Sequence, residues 1–324
     1  MKEKLIQYFI ENNFKDIRDT GKTWQELGSE FGLTGESARK IIKRNKPLIT
    51  KKVGLVEAIE KHVEGNKFQP KILIFDLETA PLRAYVWRLW KQNVHPLNGQ
   101  LQSEWFLLTY SAKWLFDSKV YSGKLSSEEV IAEDDTRLVK EMWDLFNEAD
   151  IVIAHNGIQF DVPMMNGRFL KKNLPPPLPY KIIDTKKVAT KQFNLPSNKL
   201  DYIAQFLGLG RKIDTDFELW VNCLKGDVKA LSDMELYNIQ DVRILEDVYL
   251  ALRPYIQPHP NLGLYITEDI ECCPSCTSTD LKWEGNYTTY SNTYKAFRCN
   301  HCGSIGRSKT PEKKHSNLTK PCPI

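Results

Sequence analysis

The sequence predicts a mixed α/β domain, a sheet flanked by helices, with a small all-α unit before it and a small β unit after it. Three observations carry that prediction. The first 45 or so residues show helical spacing only, and the middle of the chain alternates short β-rich runs with amphipathic helices. Five of the seven cysteines crowd between Cys272 and Cys302, which marks a local site rather than a chain-wide disulfide framework. The expected boundaries are 1–46 for the helical unit, 47–69 for a linker and 70–254 for the main domain. A second linker covers 255–270, the cysteine module 271–310 and a tail 311–324.

A chain of 324 residues is long enough for one large core plus smaller modules, and 41% hydrophobic with 27% charged residues is ordinary for a soluble protein. No apolar run approaches the roughly 18–20 residues of a membrane span, and the opening "MKEKLIQYFIENN" is amphipathic rather than a signal peptide. These features predict a soluble, cytoplasmic protein with no membrane partner. The net charge of +4 is too mild to announce nucleic acid by itself. Its distribution says more. Arg39, Lys40, Lys43, Arg44, Lys46, Lys51 and Lys52 fall in one stretch without an acid, a pattern that attracts phosphates but is also common on a merely solvated face.

In the first unit, Leu5, Ile6, Phe9 and Ile10 recur at helical spacing over about Glu3 to Asn12. Thr23 followed by Glu26 is a capping-box pattern opening a second helix that should stop near Gly32. After the "GLTG" turn, a third helix from about Glu36 turns Ala38, Ile41 and Ile42 inward and Ser37, Arg39, Lys40, Lys43 and Arg44 outward. Helix, tight turn and basic helix is the plan of a helix-turn-helix, and the unit resembles those at the ends of phage and bacterial DNA enzymes. A helical bundle that only docks on its neighbour is the competing reading. Residues 46–70 read as a charged connection, with a short helix around Val56 to Val63.

The main domain opens with "ILIFDLETAP", where Asp76 and Glu78 sit two apart in an otherwise buried strand and so share one face. Either the strand has ended in a turn or cap, or a divalent cation offsets their repulsion, since Mg²⁺ and Mn²⁺ take hard oxygen ligands. "WFLLTYSAKWLF" and "KVYSGKL" predict two further strands in a meander. A helix from about Thr136 to Asn147 leads into the strand "IVIAHNG", and "KIIDTKKVA", "KLDYIAQFLG" and a helix from Ser232 to Leu252 complete the domain. The "PPP" at 175–177 marks a rigid loop. Asp161 follows a strand where a helix opens, and Tyr237 and Asp241, four apart, share a face of the last helix. Taken singly, Asp161 reads as a cap and Asp241 as a surface acid, while Asp184, Asp201 and Asp247 read as caps or buried hydrogen-bond partners. "GLGRKIDTD" has neither dinucleotide nor Walker spacing. Lys186, Lys187 and Lys191 fit a phosphate track and a solvated loop equally well.

A strand with D-x-E, a strand followed by H-N-x-x-x-F-D, and a helix with Y-x-x-x-D, in that order, resemble the DEDD superfamily of 3′-to-5′ exonucleases. These are proofreading-type enzymes on an RNase H-like fold, and tyrosine in the last motif points to their DEDDy branch. The resemblance spans about residues 70–253 and implies two Mg²⁺ or Mn²⁺ ions held by Asp76, Glu78, Asp161 and Asp241. It implies that Tyr237 orients the attacking water and that Asn156 and Phe160, beside His155, shape the pocket for the terminal nucleotide. Two cations about 3.5–4 Å apart activate a water and stabilise a leaving oxygen, which accounts for acids drawn from three elements. A phenol of pKa near 10 is too weak a base at neutral pH, so positioning suits Tyr237 better than proton abstraction.

"CCPSC" and, after 22 residues, "CNHC" give Cys273-x₂-Cys276 and Cys299-x₂-Cys302, the spacing of a zinc ribbon with one structural Zn²⁺. A redox pair or disulfides compete, less readily in a cytosolic chain. Cys272 is a rival to Cys273 as ligand. The expected function is thus hydrolysis of DNA from its 3′ end, with single-stranded 3′ ends at the active site and duplex held by Arg39, Lys40, Lys43 and Arg44. A ribonuclease and a catalytically inactive DNA-binding regulator are the alternatives. With no polymerase motif in the chain, proofreading would need a polymerase or other replication or repair protein as partner. If the chain is phage-encoded, its site of action would be the host cytoplasm.

Overall fold

The structure, a computed structural model, describes residues 2–12, 14–46, 49, 70–91, 93–266 and 270–312. The short helix expected around Val56 to Val63, most of the 47–69 linker and the tail from 313 lie outside the described residues. The chain divides into two compact units, Met1–Gln69 and Pro70–Ile324.

In the first unit, helix α1 (Lys2–Glu11) is followed by a 3₁₀ turn (Ile17–Thr20), α2 (Trp24–Glu30) and α3 over residues 35–46. Leu5 and Phe9 of α1, Leu27 of α2, and Ala38 and Ile42 of α3 are fully or almost fully buried in one small core, with Ile41 half-buried against it. The capping box forms as the sequence indicates: Glu26 N–H donates to Thr23 Oγ1 (3.3 Å) and Thr23 N–H to Glu26 Oε2 (2.7 Å). Gly28 has to lack a side chain, because a Cβ there would lie 2.8 Å from the Leu33 carbonyl oxygen and 2.9 Å from the Gly35 nitrogen in the turn. Arg39, Lys40, Lys43 and Arg44 are exposed, and Lys40 pairs with Glu36 at 2.6 Å.

The second unit is built on a five-stranded mixed sheet of order β5-β4-β1-β6-β7: β5 is Tyr121–Lys124, β4 Leu107–Trp114, β1 Ile72–Thr79, β6 Ile151–Ala154 and β7 Lys181–Asp184. β4 runs antiparallel to its neighbours β5 and β1, and β6 and β7 run parallel to β1. The short strands β2 (Arg83–Ala84) and β3 (Leu101–Ser103) pair apart from this sheet. Helices α4 (Ser127–Ile131), α5 (Thr136–Glu148), α6 (Asp161–Lys171), α7 (Thr185–Gln192), α8 (Leu200–Phe206), α9 (Phe217–Leu224) and α10 (Val228–Leu252) complete the layers.

The period of two in β1 decides where the acids point. Leu73, Phe75 and Leu77 enter a core shared with α5 and α6, whereas Ile72 and Ile74 enter a second core with α7, α8 and α10. Asp76 and Glu78 continue the Ile72–Ile74 face and so meet α10. Across the strand pair they oppose Ser111 and Thr109 of β4. Helix α10 is fixed over this face by polar bonds on either side of the site. Glu235 accepts from Ser122 Oγ (2.8 Å) and Lys124 Nζ (2.7 Å) on β5, while Glu246 pairs with the buried Lys113 of β4 and accepts from Phe116 N–H (2.9 Å). Tyr237 and Asp241 lie between those two anchor points.

Within the stretch expected as a linker at 255–270, the residues up to Leu262 pack on the domain: Ile256 and Leu262 are buried in the α10 core, and Tyr249 Oη bonds His259 Nε2 at 3.0 Å. Beyond it, β8 (Leu281–Thr288), β9 (Thr293–Cys299) and β10 (Ile305–Arg307) form an antiparallel sheet of order β10-β9-β8. Among the described residues, no helix is long and apolar enough to cross a membrane.

Candidate active site and cysteine cluster

Carboxylate oxygens of Asp76, Glu78 and Asp241 lie within 4.8 Å of one another. Two come from β1 and one from α10, 163 residues downstream of Glu78 in the sequence. Asp161 does not belong to this three-residue group, but its charge acts on both Asp76 and Glu78. It is the first residue of α6 and almost fully buried, a position where the positive end of the helix offsets part of its charge. The turn that delivers it depends on Asn156 at φ 73° and on Gly157, where a Cβ would stand 2.4 Å from the Ala154 Cβ. Phe160 and Gln159 N–H groups both bond the Asn156 carbonyl, so the H-N-x-x-x-F-D segment winds directly into the helix.

Burial and mutual repulsion set the electrostatics. Loss of water, followed by the charges of Asp241, Asp161 and then Glu78, pushes Asp76 well above the ordinary carboxylate range. Desolvation, then Asp241, raises Glu78 to about 8, and desolvation raises Asp161 to about 7. Asp241 is raised by burial and held back by Lys212. Asn238 Nδ2 donates to Asp76 Oδ2 at 2.7 Å, while Asp241 Oδ1 and the Ser111 and Thr109 hydroxyls are buried without a partner among the described residues. A set of hard oxygen donors, crowded, unevenly satisfied and short of positive charge, fits a divalent cation.

Lys212 supplies the nearest positive charge. Its Nζ bonds Asp241 Oδ2, lies 3.3 Å from Tyr237 Oη and sits 5.2 Å over the Tyr237 ring. Desolvation and Asp241 raise the Tyr237 phenol to about 12, so it stays protonated and can hold a water or a phosphate oxygen by hydrogen bonding. Trp220 packs edge-on against this ring at 6.4 Å.

Beside the acids opens a cleft of about 350 Å³ lined by Asp76, His155, Asn156, Lys186, Asn198, Lys199, Leu200, Asp201, Lys212 and Tyr237. Asn156 thus reaches the cleft, with Lys186 Nζ 3.3 Å from its Oδ1; Phe160 is partly exposed at the start of α6. His155 is a structural member of the rim. Its Nε2 donates to the Asn198 carbonyl (2.9 Å) and its Nδ1 accepts from the Thr185 hydroxyl (2.9 Å), and burial lowers its pKa to about 4. Asp184 is the N-cap of α7, accepting from Lys186 and Lys187 N–H, and it also accepts from Asn156 and Ile158 N–H.

Two residues here were missed in the sequence. Asn238 stands next to Tyr237 inside the last motif, and its polar side chain on an otherwise apolar helix face was the available signal. Lys212 sits in the irregular "GLGRKIDTD" loop, where nothing local marks it.

In the cysteine module, the Sγ atoms of Cys273, Cys276, Cys299 and Cys302 lie within 4.8 Å of one another. Cys273–Cys302 and Cys276–Cys299 are each 3.6 Å apart. Thiolates about 2.3 Å from a central zinc have tetrahedral edges of about 3.8 Å, whereas a disulfide needs about 2.05 Å, so the four sulfurs fit a metal. Cys272 lies outside the group and approaches Gly263 instead.

The comparison with protein families agrees with this architecture. Residues 116–253 match the family model RNase_H_2 of the RNase_H superfamily, a span that contains Asp161, Tyr237 and Asp241 but begins beyond β1. No curated protein matches the chain. The solved structures that resemble it include the family B DNA polymerase of the hyperthermophilic archaeon Pyrobaculum calidifontis. That likeness has 14% identity and a TM-score of 0.42, and covers 57% of this chain but only 25% of the polymerase. The fold is RNase H-like: a mixed sheet with helices on both faces and a small β region carrying the cysteine cluster.

Proposed function

We propose that the protein is a DEDDy-type, metal-dependent exonuclease that removes nucleotides from the 3′ end of DNA. One observation carries the reading: Asp76 and Glu78 from a central strand meet Asp241 from a helix, beside a cleft that presents both cations and a buried phenol. With Asp161, these acids would hold two Mg²⁺ or Mn²⁺ ions, which when bound supply an activated water and stabilisation of the leaving oxygen.

The chain's own residues do the rest. Asn238 fixes the Asp76 carboxylate by its 2.7 Å hydrogen bond, so that ligand does not have to be ordered on binding. Tyr237 keeps its proton and orients the attacking water. Lys212, paired with Asp241 and 3.3 Å from Tyr237 Oη, would offer its charge to a phosphate oxygen held beside the acids. Lys186 and Lys199 line the cleft where the backbone of the departing strand runs, and Asn156 and Phe160 border the terminal nucleotide.

The helix-turn-helix reading of the first unit assigns duplex contact to Arg39, Lys40, Lys43 and Arg44, all exposed on α3. Cys273, Cys276, Cys299 and Cys302 would bind one structural Zn²⁺, consistent with a reducing cytoplasm. Any proofreading role would be exerted with a polymerase or another replication or repair protein in trans.

The test is nucleotide release from 3′-labelled and 5′-labelled single-stranded DNA with Mg²⁺, Mn²⁺ or EDTA, for the native chain and Asp76→Ala. The expected result is metal-dependent loss of the 3′ label, progressive shortening of the 5′-labelled strand and no activity in the variant. No cleavage with either metal, or cleavage that the variant retains, would overturn the assignment.

A further inference from the structure

Four residues beyond Glu78 the chain leaves the sheet for an excursion over residues 82–103 that the catalytic reading does not use. Its base is closed by the pairing of β2 with β3 and by Tyr85 N–H on the Gln100 carbonyl at 2.8 Å. Its tip is apolar and uncovered: Trp87 is 94% exposed, Trp90 80%, Leu89 82% and Leu97 97%. Tryptophan is seldom left in water, least of all twice within four residues. The segment's charge is one-sided. From Leu82 to Ser103 it carries Arg83, Arg88 and Lys91 and no Asp or Glu. Arg83 is spent on Glu133, whereas Arg88 and Lys91 are exposed beside the two indoles.

We infer that this excursion is a binding platform for single-stranded nucleic acid, with Trp87 and Trp90 stacking on bases and Arg88 and Lys91 holding the phosphates between them. Flat aromatic faces alternating with cations and free of carboxylates are the chemistry of sequence-tolerant single-strand binding. A protein partner would gain from the apolar tip but has no need of an acid-free surface. Continuity argues the same way, since the excursion springs from the strand that carries Asp76 and Glu78. The platform would therefore hold the strand whose end enters the cleft, which deepens the exonuclease reading and rests on it for the identity of the substrate.

The experiment measures the affinity of the full chain for fluorescein-labelled oligodeoxythymidylate in EDTA, so that binding is read without cleavage. Trp87→Ala with Trp90→Ala is expected to weaken binding about 30-fold, whereas the double Phe variant retains most of it because a ring remains to stack. Arg88→Ala with Lys91→Ala should lower the slope of log K against log salt by about 1.4. Unchanged affinity in the double Ala variant would overturn the inference, as would sedimentation showing that these tryptophans instead hold two copies of the chain together. The two proposals fail separately. Absent cleavage with the Trp effect intact refutes the exonuclease alone, and normal cleavage with unaltered oligonucleotide affinity refutes the platform alone.

Discussion

Among the described residues, the second unit contains two clusters of metal-ligand type, and they are assembled in opposite ways. The four cysteines come from two knuckles 23 residues apart, joined by a hairpin, and so belong to one local motif. The carboxylates come from β1, the start of α6 and α10, and only the packing of a whole domain brings them together. The difference predicts different dependence on metal. The cysteine module has little core beyond its cysteines, Phe297 and Leu281, and would need an ion in order to fold. The acid site is the reverse: two cores on either side of the sheet hold it together, and an ion would only relieve the repulsion that folding creates.

The largest effect should come from breaking the local cluster. Cys299→Ser should release the zinc, forfeit on the order of 10 kcal/mol of metal-coupled folding in the module and open residues 271–310 to protease, whereas Cys272→Ser leaves zinc content at one per chain. Metal analysis with limited proteolysis reads both; loss of zinc in the Cys272 variant would show that the ligand set has been misread. Asp241→Asn tests the opposite cluster. It should lower nucleotide release by about 10³-fold, roughly 4 kcal/mol of barrier, whereas Glu78→Gln, which removes a charge from the crowd without breaking the Asp241–Lys212 pair, should raise the melting temperature in EDTA. Asp241→Asn should also lose the stabilisation that Mn²⁺ gives the native chain. A Glu78→Gln chain that melts lower than the native one in EDTA would show that the acids do not repel one another as the geometry implies.

A smaller effect is expected at Lys212. Lys212→Ala removes the cation beside Asp241 and Tyr237 and should lower kcat by about 10²-fold with a lesser change in KM, because a donor to the reacting phosphate matters most in the transition state. A change confined to KM would make Lys212 a binding residue only. The smallest effect concerns the rim. His155 is neutral when folded until the pH approaches 4, while in the unfolded chain it takes up a proton near 6.5. The unfolded state of this group therefore binds more protons between those values, so the His155 contribution to stability falls as the pH drops through that window, by at most about 1.4 kcal/mol per pH unit, against the opposite contribution of the acids raised by burial. His155→Gln should remove that contribution, so that stability in the window rises more steeply on acidification than in the native chain, measured by urea unfolding at successive pH values; an identical slope would place the titrating group elsewhere.

Much of the site was legible because each motif sits where secondary structure alone orients it. A period of two puts Asp76 and Glu78 on one face, and a spacing of four does the same for Tyr237 and Asp241. The helix start at Asp161, the capping box of Thr23 and the cap at Asp184 could likewise be read from a few neighbouring residues. What escaped was non-local or irregular. Helix α9 and the excursion over 82–103 carry no clean period, and α10 begins at Val228, four residues before the apolar pattern suggested, because Asp227 caps it through the Ala230 N–H. Lys212 lies in a loop, so only the fold could bring it to Asp241.

The sequence by itself determined which residues are able to do chemistry, since donor type, spacing and strand or helix periodicity are properties of a short stretch of chain. It determined the cysteine cluster almost completely, because a hairpin is enough to bring two knuckles together. Tertiary structure alone decided that Asp76, Glu78 and Asp241 share a space 4.8 Å across, with Asp161 grouped less tightly. It also decided that Cys273 rather than Cys272 faces the other thiols, and that Lys212 and Asn238 complete the acid site. The reason is physical. The fixing of α10 over β4 and β5 by Glu235 and Glu246 depends on contacts between residues more than 100 positions apart, and no local pattern encodes that distance.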